Sequence, residues 1–240
     1  MPVLPAARLL AELESHGQAL AVAARELDRP VAGLEWCVRE VVVHTGAVHR
    51  WAADIVRRRL PANETGGSRA FHPDPAVPDA DLGSWYLAAL ADLVDVLRAA
   101  PDDLEAWTFA RGLPARHFWI RRQAHETAIH RVDVAGAAVE VSPDFAQDGI
   151  DELAVGFARQ RAFATAEAGT LALTASDGPS WIIRFGGERI DAAPADRGEN
   201  ADAAVAGTSA ELYRWLWNRP SAVTVDGDPD VVALWRRVRI

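Results

Sequence analysis

The sequence predicts an α+β protein, with an N-terminal four-helix bundle followed by a small α+β domain. Two observations carry that prediction. Four long stretches with apolar residues at helical spacing fill the first 140 or so residues, separated by proline- and glycine-rich breaks. Beyond Gly169 the apolar pattern switches to the two-residue alternation of strands, punctuated by short turns. The length of 240 residues, half of them hydrophobic, supports one large or two small folded units.

Residues 4–28 form the first predicted helix, with Leu9, Leu10, Leu13, Leu20 and Leu27 on its apolar side, and Pro30 ends it. Residues 36–60 form the second, closed by Pro61. The segment PANETGGSRAFHPDPAVPDA is a loop by its proline and glycine content. Residues 79–100 form the third helix and residues 116–138 the fourth, separated by a connection containing Pro101, Gly112 and Pro114. Residues 144–167 are read as a helix bridging the two parts, so the predicted domains are 1–143 and 144–240. In the second, GTLALTA, SWIIRF, ERIDAAP, AAVAG and AVTVDGD alternate like strands, and SAELYRWLW and DPDVVALWRRV like helices.

Bulk properties narrow the function classes. The net charge of −9 argues against a nucleic-acid binder, which needs a basic face. All the basic residues are arginine, which fits the codon usage of a GC-rich genome. The single cysteine, Cys37, excludes an intramolecular disulfide and fits a reducing compartment. The N-terminus lacks a signal-peptide pattern, and no apolar run approaches the ~20 residues of a membrane span. A cytoplasmic protein without membrane or nucleic-acid partners, as a monomer or homodimer, is therefore expected.

The stretch RRQAHETAIHR, residues 121–131, comes close to the zinc-protease signature H-E-x-x-H but has one residue too many between its histidines. At about 100° per residue, His125 and His130 lie about 140° apart, whereas Glu126 and His130 stack on one face. On the second helix, Cys37, Val41, His44, Val48, Trp51 and Ile55 form one stripe with His44 at its centre, and His49 is expected to face elsewhere. His44, Glu126 and His130 are therefore candidate ligands for zinc or another divalent ion in a bundle core. A lone inward histidine also suits a hydrogen-bonded core residue, and a Glu/His pair four apart also suits an exposed helix face. A buried glutamate without a partner is costly, and this favours the cation.

The segments LEWCVREVVVHTGAVHRWA and WIRRQAHETAIHRVDV resemble the metal-binding helices of the mycothiol-dependent maleylpyruvate isomerase family, a branch of the DinB-like four-helix bundles. LALTASDGPSWIIRF, ADAAVAGTSAELYRWLWNR and VTVDGDPDVVALW resemble the same family's C-terminal domain. The resemblance spans nearly the whole chain; Glu40 stands where the family has an aspartate. It implies zinc on His44, Glu126 and His130, and mycothiol as thiol cosubstrate. The reaction implied is isomerisation or thiol transfer on a small electrophile: the thiolate adds to an activated double bond, rotation follows, and the thiolate leaves. Zinc would lower the pKa of the thiol from about 8.5. The resemblance also places the family's essential C-terminal arginine on Arg219, as the catalytic partner of a dianionic substrate. A zinc hydrolase or a non-catalytic metal-binding module on the same scaffold remains open at this stage.

Other residues read as structural. Cys37 is expected to be a buried, inert thiol, and Trp36 and Trp119 to be packing residues. Arg121, Arg122 and Arg131 are expected to be solvated or structural. Asp226, Asp228 and Asp230 read as a turn and a helix N-cap rather than a calcium loop.

Overall fold

The computed structural model describes residues 3–73, 76–110, 112–136, 138–159, 165–196 and 198–238. The chain divides into two compact units, with Leu4–Val139 in one and Glu140–Ile240 in the other.

The first unit contains helices α1 (Ala6–Ala23), α2 (Val38–Arg58), α3 (Asp79–Ala99) and α4 (Ala115–Ala135). Each expected helix is present with shifted ends; the largest change is in α1, which stops at Ala23 rather than residue 28, ahead of a turn in which Glu26 takes a left-handed φ of 50°. Proline occupies the N-cap of α1, α3 and α4, and its fixed φ leads the chain into the first turn. α1 packs on α4, and α2 on α3 and α4. The core includes Leu9, Leu13, Leu20, Val41, Ile55, Leu82, Leu93, Trp119 and Ile129, all within 1% of full burial. Two helices meet α4 from different sides, and buried residues lie all around its circumference. That explains why its sequence shows a weaker apolar stripe than its burial demands.

α2 starts at a capping box. The Glu40 carboxylate accepts from the Cys37 N–H at 2.8 Å, which satisfies an otherwise unpaired backbone donor. Cys37 is therefore the half-buried N-cap of α2 rather than a member of its apolar stripe. The expected buried thiol is corrected accordingly: the residue belongs to the turn that precedes the helix, so the helical arithmetic does not apply to it. Glu40 performs this capping, which needs a side chain long enough to reach back three residues.

Connections in this unit are tied down by side chains. Two 3-10 turns, Ala62–Glu64 and Ser68–Phe71, shape the loop between α2 and α3. Trp51 Nε1–H donates to the Thr65 carbonyl at 2.7 Å, and an Arg39 guanidinium N–H donates to the Val77 carbonyl at 3.2 Å. α2 thus anchors both ends of the loop.

The second unit opens with α5 (Pro143–Asp151), which runs into a π-helical turn, Glu152–Phe157. The helix expected over 144–167 is thus shorter and underwound at its end, and residues 160–164 lie outside the described residues. Five strands follow: β1 (Gly169–Ala175), β2 (Ser180–Phe185), β3 (Asp191–Ala195), β4 (Ala203–Gly207) and β5 (Thr224–Gly227). The sheet order is β3-β2-β1-β4-β5. Only the β1–β4 pair is parallel, because the chain crosses from one edge hairpin to the other side of β1. Helices α6 (Ser209–Leu216) and α7 (Pro229–Arg236) pack against β1 and β4. A Thr208–Glu211 capping box starts α6, and Asp228 caps α7 by accepting from the Asp230 N–H. In the acidic group around Gly227, Asp228 is the expected N-cap and Asp230 lies in the first turn of α7, whereas Asp226, expected in a turn, is paired within β5. Among the described residues, no helix is long and apolar enough to cross a membrane.

Candidate metal centre

The three residues expected to act as ligands come together in the first unit. One donor atom from each of His44, Glu126 and His130 lies within 4.8 Å of the others. Glu126 Oε1 lies 3.2 Å from His44 Nε2 and 3.2 Å from His130 Nε2. α2 supplies the first imidazole, and α4 supplies the other two groups from positions one turn apart.

Two residues not expected at the site, Asp133 and Arg122, hold the cluster in place. His130 Nδ1–H donates to Asp133 Oδ2 at 2.9 Å, and the Asp133 side chain is 1% exposed. This fixes the imidazole so that Nε2 faces Glu126. Arg122 donates to Glu126 Oε2 at 3.2 Å, leaving Oε1 to the imidazoles. The expectation that Arg122 is merely solvated or structural is corrected: it is buried, and at four residues from Glu126 it lies on the same face. Arg121 is also buried, and Arg131 donates to His16 on α1.

The electrostatics follow from these contacts. Burial pushes the Glu126 carboxyl upward, but hydrogen bonds from His130 and His44 and the nearby Arg122 charge hold it well below its ordinary value. Burial disfavours the His130 imidazolium. Hydrogen bonds to Asp133 and Glu126 outweigh that and raise its pKa to about 9.

His44 sits at the rim, its side chain 25% exposed, and opens on a cleft of about 360 Å³. Trp36, Arg39, Arg69, His72 and Val77 contribute to the walls. Backbone hydrogen bonds between Val31 and Trp36 and between Val38 and Arg29 hold the turn before α2 in place. That turn sets the Trp36 ring 4.8 Å from the His44 ring and 6.3 Å from the His130 ring. Trp36 is therefore a wall of the site as well as a packing residue. Trp119, by contrast, is fully buried in a cluster with Trp51, Trp107 and Phe118. Burial lowers the pKa of His72, with further contributions from His44 and Arg69.

Both remaining histidines of the sequence argument lie off the cluster. His125 is buried near α1, where its charge bears on His16. His49 points away from His44 as expected, yet it is fully buried, and its Nε2 pairs with Thr127 Oγ1 at 2.9 Å. Burial lowers its pKa to about 3. Arg219 belongs to the second unit, where it is half-buried and donates to the Trp217 carbonyl at 2.7 Å.

Two family models match the chain. The mycothiol maleylpyruvate isomerase N-terminal domain matches residues 6–135, and the companion C-terminal domain matches residues 144–234. Among solved structures, the chain is similar to the mycothiol-dependent maleylpyruvate isomerase, with a TM-score of 0.65 at 16% identity, covering 94% of this chain and 96% of that one. A histidine-to-alanine mutant of that enzyme gives a TM-score of 0.64 with the same identity and coverage. A comparison with curated proteins returns no match.

Proposed function

We propose, from the premise that the chain belongs to the mycothiol maleylpyruvate isomerase family, that it is a metal-dependent enzyme using a low-molecular-weight thiol. The reaction would be isomerisation or thiol transfer on a small electrophile. Mycothiol, named for the structural relatives, is the thiol proposed here.

The observation that carries this reading is the convergence of two imidazole nitrogens and one carboxylate oxygen beside an open cleft. The donor set fits a divalent ion. Two nitrogens and one oxygen suit zinc with a position left for a ligand, and the Asp133 contact turns the His130 lone pair toward the cluster. When bound, the cation supplies the positive charge that keeps a nearby thiol as its thiolate at neutral pH. Asp133 fixes the orientation and tautomer of His130. Arg122 neutralises part of the Glu126 charge and fixes which oxygen faces inward. Trp36 shields one side of His44 from water. Arg219 is proposed as a catalytic residue that pairs with a substrate carboxylate. Cys37 serves as a helix cap, so the reacting sulfur is assigned to the cosubstrate.

Metal analysis of the purified protein, followed by titration of the cobalt-substituted form with mycothiol, tests the proposal. The expected result is about one metal per chain and a thiolate-to-cobalt absorption band, both lost in His44→Ala. Turnover of an electrophile at the same rate without any thiol would point instead to a hydrolase and refute the thiol-dependent reading. Arg219→Ala should retain the metal and lose turnover; unchanged turnover would remove Arg219 from the mechanism.

A further inference from the structure

We propose that Arg69 selects anionic electrophiles, its guanidinium pairing with a carboxylate of the molecule bound in the cleft beside His44. The proposal rests on the metal–thiol reading above and adds a specificity-determining residue to that site.

Most charges around the cleft have protein partners. Arg39 bonds the Val77 carbonyl and is ion-paired with Asp79. Glu40 accepts from the Cys37 N–H. Arg69 lines the same cleft and is exposed, and among the described residues its side chain makes no hydrogen bond or ion pair with the protein. His44, Arg69 and His72 line one cleft, which sets Arg69 on the same opening as the ligand His44.

The position is built rather than incidental. Arg69 lies within the 3-10 turn Ser68–Phe71, which packs on α2. Its loop is tied to α2 at Thr65 by Trp51 and at Val77 by Arg39. A planar guanidinium presents paired donors that match a carboxylate. On a chain of net charge −9, a cleft with an uncompensated cation is a local attractor for anions. The cleft volume of about 360 Å³ suits a small molecule.

The test is calorimetric titration of the zinc-loaded protein with maleate and with its neutral dimethyl ester, using wild type, Arg69→Gln and Arg69→Lys. The glutamine variant should bind maleate about tenfold or more weakly, with zinc content and diester binding unchanged. The lysine variant should recover part of the loss, because it restores charge without the planar fork. Zinc-loaded Arg69→Gln that binds maleate within twofold of wild type overturns the assignment. So does a wild type that binds maleate no more tightly than the diester. Absence of zinc uptake or thiol dependence in the wild type defeats the functional reading itself, a separate outcome that the metal analysis registers before any titration.

Discussion

Asp133→Asn isolates the orientation of one ligand from its identity. The wild-type contact runs from His130 Nδ1–H to a carboxylate oxygen at 2.9 Å, in a place where the Asp133 side chain is 1% exposed. A hydrogen bond to a charged partner contributes about 1.5–3 kcal/mol, and a neutral one about 0.5–1.5 kcal/mol. The difference of about 1–1.5 kcal/mol corresponds to roughly tenfold weaker zinc binding. If the new amide turns its NH₂ toward Nδ1, the imidazole proton moves to Nε2, the nitrogen that must ligate. The loss then rises toward the hundredfold end of the range for residues that orient metal ligands. Zinc affinity would be measured by competition with a chromophoric chelator, and a thermal melt of the metal-free protein would check the fold. Asp92→Asn, which breaks an exposed ion pair with Arg57, serves as the control and should leave zinc affinity unchanged. Zinc affinity within twofold of wild type in Asp133→Asn would refute the orienting role.

Two further predictions concern stability. A Cβ added at Gly46 would lie 2.3 Å from Trp85 Cζ3, so Gly46→Ala must displace a rigid ring that also stacks under Arg50. At 2.3 Å from a rigid ring the overpacking cost falls in the upper part of its usual range, about 2–3 kcal/mol, and alanine returns about 1 kcal/mol of helix propensity, so a net loss of about 1–2 kcal/mol and a Tm lower by about 2–8 °C are expected; an unchanged Tm would contradict the clash. His16 accepts from Arg131 at Nδ1, and burial first, then Arg131 and His125, lower its pKa to about 4. The unfolded chain binds this proton at about 6.5, so between these values it carries more protons than the folded one, and stability falls as pH drops from about 6.5 to 4, by about 3 kcal/mol at most. Urea melts across that range should show a shallower pH slope in His16→Asn; parallel slopes would count against the assignment.

The helices and strands were legible because their breakers are strong: prolines and glycines mark most of the boundaries. The ligand set was legible because helical periodicity is a rigid rule, and Glu126 and His130 had to share a face. The same rule reached less far on α2. It correctly separates His49 from His44, but α2 packs on both α3 and α4, so two directions around it are buried and only one was assumed. Asp133 and Arg122 were readable in principle from their spacings of three and four to a ligand. They were missed because buried charges are rare, and an arginine on a helix is ordinarily solvent-exposed. Trp36 and Arg69 lay beyond such rules. Each sits on an irregular segment whose path is set by hydrogen bonds between residues far apart in sequence, and Arg69 faces the cleft only because Trp51 and Arg39 hold its loop.

Arg122, Glu126, His130 and Asp133 all fall within roughly 80° of arc on α4, so their relative positions are set by a single stretch of helical backbone. His44 alone comes from elsewhere. The centre therefore has one mechanical weak coordinate, the placement of α2 against α4. A slide of one residue along the helix axis, about 1.5 Å, exceeds the roughly 0.5 Å precision that such a site requires. Metal affinity in this protein thus works as a strain gauge for that helix pair. Substitutions far from the ligands that loosen the packing should register as weaker zinc binding while circular dichroism still reports a folded bundle.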